Sequence, residues 1–308
     1  MRSNELLKKL TETLNKSYEE RYSFIRKFFE RNLYSSDLRS NLKKLNQHFK
    51  NITRIIGTKK EVSSSINRIL PNQNISINYP IAYIPEFYNF ENNMLRRHRV
   101  KPPIIVFDVE SFYNDYKTFE LKEKESHLLA KGKMIEEEIH ALNEILQRGE
   151  ISNYRWEILK KCWEERKITL DDALRFSVVC WIQEIVGDYG KEMYLRKRNY
   201  QVFKIEESML EKMVRKIFYR FQSFNSLPSS LSLALPVTQQ KISNPDSMLN
   251  VLNLLTISAF MNAYIMDFYL RKLGKPFRVS KKDIGKILNN PTRKVVDEYT
   301  QKIKNFVV

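Results

Sequence analysis

The sequence predicts a mainly α-helical protein: a helical bundle with one small strand-containing insertion at about residues 76–124. Two observations support this fold class. Apolar residues recur at helical spacing over most of the 308 residues. Extended runs rich in Tyr, Asn and Pro, which favour strands, are confined to residues 61–124. A chain of this length can bury a core without metal or disulfide staples.

Residues 1–60 are predicted to form basic N-terminal helices, because they carry fifteen basic and six acidic side chains, a net charge of +9. One helix in this region should have a single apolar face that packs on the core. Its apolar residues recur at helical spacing and are Phe24, Ile25, Phe28, Phe29 and Leu33.

Residues 61–124 form the Pro/Asn/Tyr-rich region with short strands. Pro80 and Pro85 predict an edge strand or a loop, since proline cannot donate to a strand ladder. The apolar run 104–109 is predicted to pair as a strand. Between these runs lies the basic stretch "MLRRHRVK", residues 94–101, which is either a solvated loop or a phosphate contact. Its candidate contacts are Arg96, Arg97 and Arg99.

Residues 125–224 are predicted to be a helical core, with a helix that stops near Gly149. Residues 225–247 are a predicted linker or long loop, and residues 248–308 a C-terminal helical unit. Residues 248–266 carry no charge, but three Asn side chains within them favour the central helix of a soluble bundle over a membrane span. Cys162 and Cys180 are predicted to be buried, reduced thiols. With no secretory leader visible, the expectation is a cytoplasmic protein with no membrane partner.

The net charge predicts a polyanionic partner. Lys and Arg number 53 against 36 Asp and Glu, a formal charge of +17, which favours nucleic acid. The seven glycines are not grouped, so no phosphate-cradling loop is predicted. No two histidines stand at metal-ligand spacing, so no zinc site is expected. We therefore expect no cofactor and no metal.

Residues 279–303 read as two helices around an Asn-Asn-Pro corner. The first should begin after Ser280 and end near Asn289. Pro291 disfavours helical geometry in the residue before it, and Thr292 is predicted to cap the second helix. An apolar stripe on that helix should face the first: Val295, Val296, Tyr299 and Ile303.

This stretch resembles a helix-turn-helix element, in Gly285 after Ile284, Leu288, the turn residue Asn289, and Val295. The resemblance implies DNA binding, with bases read by the helix that starts near Thr292. The alternative is a purely architectural corner, at which two ordinary helices fold back on each other. Residues 270–308 carry eleven basic and three acidic side chains, a net +8, enough for several phosphate contacts. The candidate nucleic-acid contacts here are Lys281, Lys282, Lys286, Arg293, Lys294, Gln301 and Lys302.

An enzymatic alternative comes from Asp108, after an apolar run, and from Glu120 and Lys122 in a predicted alternating strand. This pattern resembles the Asp and Glu-x-Lys signature of the restriction-type nuclease fold. The resemblance implies two carboxylates that hold a divalent metal and a lysine that orients the attacking water. Asp108 and Glu110 are also similar to the Asp-x-Glu of proofreading exonucleases, but the Tyr-x-x-x-Asp that should follow is missing.

The sequence therefore predicts a non-catalytic nucleic-acid-binding protein, DNA favoured over RNA, that grips the phosphate backbone with basic helices. The first alternative is the metal-dependent nuclease. The second is a basic scaffold subunit of a larger nucleoprotein complex, such as a CRISPR-type effector or a viral particle, which would have other protein subunits as partners.

Overall fold

The computed structural model describes residues 2–71, 80–92, 94–117, 122–199, 201–202, 204 and 281–307. Its helices are α1 (Arg2–Lys16), α2 (Tyr18–Asn32), α3 (Ser36–Leu42), α4 (Leu45–Asn51), α5 (Lys59–Ile69), α6 (Val109–Lys117), α7 (Glu123–Leu146), α8 (Glu150–Glu165), α9 (Leu170–Arg198), α10 (Lys281–Asn289) and α11 (Thr292–Val307). Its strands are β1 (Thr53–Gly57), β2 (Ile81–Glu91) and β3 (Met94–Asp108). The prediction of a mainly α protein with a small sheet is confirmed.

Two compact units divide the chain. Unit 1 comprises Met1–Phe87, His98–Leu146 and Val186–Phe203, and unit 2 comprises Tyr88–Arg97, Gln147–Ile185 and Lys204–Val308. In the described ranges, no helix has the length and apolar character needed to cross a membrane. The predicted linker at 225–247, the predicted helix at 248–266 and the predicted cap Ser280 lie outside the described residues.

The three strands form one sheet in the order β1-β3-β2. β1 runs parallel to β3, with Thr53 opposite Ile104 and Gly57 opposite Asp108. β2 and β3 are joined through Asn92 and Asn93, and Asn92 takes a left-handed φ of 50°, which asparagine tolerates in a tight turn. β2 is an edge strand, so Pro85 sits within it without breaking an inner ladder.

In unit 1, helices cover the two faces of the sheet. Successive strand residues point to opposite faces. One face packs on α5 in an apolar cluster of Val62, Ile66, Ile84, Val100, Ile104 and Val106. From the other face Arg54 reaches α7, where its Nε donates to the Glu138 carboxylate at 2.7 Å.

The structure corrects two sequence predictions about element type. Residues 53–57 form β1, although residues 1–60 were predicted to be helical. The stretch 94–101 belongs to strand β3, whereas it was predicted as a loop-like basic cluster. The strand predicted at residues 120–122 lies outside the described residues except for Lys122, which precedes helix α7. β1 and β3 adopt strand geometry because they pair with each other, although they lie far apart in the chain. The periodicity of the sequence does not reveal this pairing.

Unit 2 is built from the helices around Cys162 and Cys180. Both cysteines are buried free thiols, as predicted. Gly149 has a φ of 79° and caps the start of α8, three residues after α7 ends at Leu146. The predicted stop near Gly149 is therefore confirmed. α11 packs in this unit through Tyr299, whose ring centroid lies 5.0 Å from that of Trp181.

Candidate nucleic-acid interface

The C-terminal residues form two helices around the Asn-Asn-Pro corner. α10 ends at Asn289 and α11 begins at Thr292. Ile284, Ile287 and Leu288 of α10 are buried, as are the α11 residues Val295, Val296 and Tyr299. The side chain of Ile303 lies outside the described residues. The predicted polar face of α11 is exposed at Arg293, Lys294, Asp297, Gln301 and Lys302.

The N-terminus of α11 is covered by α8 and the residues just before it. Thr292 is 3 % exposed. Its backbone N–H donates to the Glu150 carboxylate at 3.0 Å, and its hydroxyl donates to Gln147 Oε1 at 3.2 Å. Thr292 is the first helical residue, so the prediction that it caps the helix is wrong. A carboxylate already satisfies the positive end of this helix dipole, and that end is not open to a DNA groove.

Carboxylates also neutralise several predicted contacts of the pair. Arg293 forms an ion pair with Glu157 of α8. Lys286 and Lys302 both bind Glu298, and their hydrogen bonds hold the pKa of Glu298 below its ordinary value.

Three predicted cations of the pair keep no such partner. Lys281, Lys282 and Lys294 are exposed and make no ion pair within the described part of the chain. Asp283, Asp297 and Glu298 lie on the same two helices. The surface around these lysines is therefore of mixed sign.

The arginines of β3 do not form one cluster. Arg96 and Arg97 are adjacent on a strand, so they point to opposite faces. Arg97 is half-buried and its Nη1 donates to Asn153 Oδ1 at 2.9 Å. Arg96 and Arg99 are exposed. Arg97 thus has a structural contact, and the other two are separate exposed cations.

Asp108 of the nuclease pattern caps a helix. The residue is 5 % exposed. Its carboxylate accepts hydrogen bonds from the backbone N–H of Glu110 at 3.0 Å, from that of Ser111 at 3.1 Å and from the Ser111 hydroxyl at 2.6 Å. Lys122 is exposed just before α7, and Glu120 lies outside the described residues. Across the ranges that the structure describes, no three His, Cys, Asp or Glu side chains are placed to hold a metal ion.

The stretch of unit 1 that contains α4 and α5 is poor in acids, and the sequence reasoning missed it. Residues 38–85 contain one acid, Glu61, and eight cations. The net charge of residues 1–60 does not show where the acids lie within that stretch. A search for long acid-free runs in the sequence would have found this region.

The exposed side of α4 carries only cationic and neutral polar groups. Leu45, Phe49 and Ile52 are buried and hold this segment on the core. On the other side Gln47 and Lys50 are exposed three residues apart, so they lie on one helical face. Lys43 is exposed just before the helix. Lys44 is exposed beside them. The pKa of His48 is lowered by burial and by Lys44, so this histidine is neutral at pH 7.

The exposed side of α5 has the same character. Val62 and Ile66 face the sheet. Lys60, Ser64 and Arg68 are exposed at successive four-residue steps along the opposite face. Lys59, Ser63 and Asn67 are also exposed. These are the side-chain types that contact phosphate oxygens in protein–DNA complexes.

One of the two acids near this surface, Glu61, is already bound. Glu61 accepts the Thr58 backbone N–H at 2.7 Å and the Thr58 hydroxyl at 2.9 Å in a capping box. These bonds lower the pKa of Glu61, so its carboxylate stays ionised. Asp37 lies in the first turn of α3. Six exposed cations on or just before α4 and α5 make no ion pair with the described residues. We call these six, with their polar neighbours, the acid-poor surface: Lys43, Lys44, Lys50, Lys59, Lys60 and Arg68.

The strand β1 connects the two parts of the acid-poor surface. α4 ends at Asn51, β1 spans five residues at the edge of the sheet, and α5 begins at Lys59. Five strand residues extend about 17 Å. The cations at the end of α4 and at the start of α5 are therefore spaced along one sheet edge.

Comparison with known proteins adds no assignment. No protein-family model matches this chain, and no curated protein or solved structure does so.

Proposed function

We propose that this chain binds nucleic acid without cleaving it, and that the acid-poor surface makes the main phosphate contacts. The observation that carries the proposal is the set of six exposed cations on and beside α4 and α5 that have no acidic partner among the described residues. Ser63, Ser64 and Asn67 lie between them and can donate to phosphate oxygens.

The binding mechanism is electrostatic. Each phosphate that a lysine or arginine neutralises releases condensed counterions, so affinity falls as salt rises. The net charge of +17 raises the rate of encounter with a polyanion. Contacts of this kind do not depend on base sequence. DNA is the first polymer to test, with RNA as the comparison.

The helix-turn-helix role of the C-terminal pair becomes secondary in this proposal. The N-terminal end of α11, which would read bases, is held by Glu150. Lys281, Lys282 and Lys294 contribute lateral phosphate contacts, with Gln301 beside them on an exposed face. They add to affinity and do not select a sequence.

A salt titration of matched triple variants tests the proposal. The test variant carries Lys50→Ala, Lys60→Ala and Arg68→Ala. If each cation contacts a phosphate, the slope of log affinity against log salt concentration for duplex DNA falls in magnitude by up to about 2.7. Fluorescence anisotropy of labelled DNA measures this slope.

The control variant removes the same charge from cations that have partners. It carries Lys9→Ala, Lys16→Ala and Arg26→Ala, whose side chains form ion pairs with Glu5, Glu12 and Glu30. The three residues replaced in each variant are exposed, so both variants are expected to fold. The slope of the control should change by less than about one unit. Equal slopes for the two triples would overturn the proposal.

A further inference from the structure

An exposed aromatic ring lies at the N-terminal end of α3. Tyr34 is 62 % exposed, and it is the only aromatic among the large hydrophobic side chains that the described ranges leave exposed; the others are Ile69 and Met94. It lies between α2 and α3 in unit 1. A solvent-exposed tyrosine ring offers a flat apolar face with a polar tip.

Two arginines lie near Tyr34 along the chain. Arg39 Nε donates to the backbone oxygen of Leu33 at 2.9 Å, which holds its guanidinium next to the residue that bears the ring. The terminal nitrogens of Arg39 make no hydrogen bond to any described residue. Arg31, in the last turn of α2, is exposed and forms no ion pair in the described ranges. Guanidinium groups contact phosphates and also stack on bases.

The ring is also close to the acid-poor surface along the chain. α3 has seven residues and is therefore about 10 Å long. Tyr34 precedes it, and Lys43 and Lys44 follow it. A strand whose phosphates lie on Lys43 and Lys44 can thus present a base at Tyr34.

This arrangement distinguishes single strands from duplexes. Bases inside a duplex are stacked on one another, and a ring on the protein surface cannot reach their faces. Unpaired bases can stack on an aromatic side chain, and the contact tolerates any base. Cations that follow the backbone together with one aromatic platform are the common features of single-strand binding.

We propose that Tyr34, supported by Arg31 and Arg39, is a base-stacking residue, and that the acid-poor surface binds single-stranded nucleic acid in preference to duplex. This inference rests on the proposed function, since it requires phosphate binding on α4 and α5. It adds the strand type that this surface selects. Tyr34 contacts the base, and the two arginines contact the flanking phosphates.

The test compares the full chain with Tyr34→Ala, Tyr34→Phe and the control Ile69→Ala, which removes a comparably exposed apolar side chain from α5. Labelled 20-mers of single-stranded DNA, single-stranded RNA and duplex DNA are titrated at one salt concentration. Tyr34→Ala should lose about tenfold in single-strand affinity and less than twofold in duplex affinity. Tyr34→Phe should keep the single-strand affinity, because the ring remains.

The outcomes separate this inference from the proposed function. If Tyr34→Ala weakens single-strand and duplex binding equally, or neither, while the triple variant of Lys50, Lys60 and Arg68 still weakens both, the stacking role is overturned and phosphate binding stands. If the unchanged chain binds none of the three polymers, both are overturned. The polymer whose affinity falls more in Tyr34→Ala, DNA or RNA, is the one that this site prefers.

Discussion

Glu138 shows how single residues hold unit 1 together. Its carboxylate has no solvent exposure. Arg21 donates to it from Nε at 2.9 Å and from Nη2 at 3.0 Å, and Arg54 donates from Nε at 2.7 Å. Arg54 also lies over the ring of Phe49, 4.3 Å from the centroid. The site joins α2, α4, α7 and β1 through one buried charge with three charge-assisted hydrogen bonds.

Replacement of Glu138 should strongly destabilise the fold. Glu138→Gln leaves two buried guanidinium groups without a counter-charge and is expected to lower the free energy of unfolding by about 3–5 kcal/mol. Urea denaturation followed by circular dichroism measures the loss. Glu30→Gln removes the partner of Arg26 from an exposed pair and should cost less than about 1 kcal/mol. Similar losses for the two variants would contradict this account.

The sequence could not identify Glu138 among the three consecutive acids 136–138. Helical spacing places all three near the apolar face of α7 and does not distinguish a buried ion pair from a solvated one. The partners decide the matter, and they lie 117 and 84 residues earlier in the chain. Local patterns contain no information about contacts at such separations.

At the scale of elements, the C-terminal pair divides what local sequence can and cannot predict. The end of α10 and the start of α11 follow from Asn289, Asn290 and Pro291, which act within one helical turn. Accessibility depends on remote residues. Glu150 and Gln147, which cover Thr292, lie 142 and 145 residues earlier. The end of α10 at Asn289 lies where the sequence predicted it, whereas the covered start of α11 was not foreseen.

The C-terminal pair should contribute less to binding than α4 and α5. A variant with Lys281→Ala, Lys282→Ala and Lys294→Ala is expected to change the salt slope by less than half as much as the variant of Lys50, Lys60 and Arg68, because Asp283, Asp297 and Glu298 lie on the same helices. The salt titration described above measures both. A larger change for the C-terminal variant would restore a main role for that pair.

The strand β1 was missed for a related reason. Its five residues, Thr53–Gly57, are too few to show a clear alternation. Their strand geometry comes from parallel pairing with residues 104–108, about fifty positions later. For the run that forms β2, the sequence predicted an edge strand or a loop, because Pro85 restricts it locally.

At the scale of the whole molecule, total charge predicts a class of partner and not a surface. The excess of 17 positive charges is evident from composition. Which cations remain available depends on their acidic neighbours in the fold. Arg21, Arg54 and Arg293 are all bound to carboxylates, whereas Lys60 and Arg68 stand on a face without acids.

Binding should occur without strand cleavage. Both oxygens of Asp108 accept hydrogen bonds from the start of α6, so the carboxylate is engaged as a helix cap. Labelled single-stranded and duplex DNA incubated with the protein and Mg²⁺ or Mn²⁺ should remain intact on a denaturing gel. Metal-dependent cleavage that Asp108→Asn abolishes and Asp37→Asn preserves would establish the nuclease instead.

The path of the chain between the two units limits how this protein can be rearranged. The chain passes from one unit to the other after residues 87, 97, 146, 185 and 203. The passage after residue 87 lies within β2, the passage after residue 97 lies within β3, and the passage after residue 185 lies within α9. Neither unit can be cloned as one contiguous fragment or exchanged as a cassette. A fragment that contains either unit must therefore include segments from several parts of the chain.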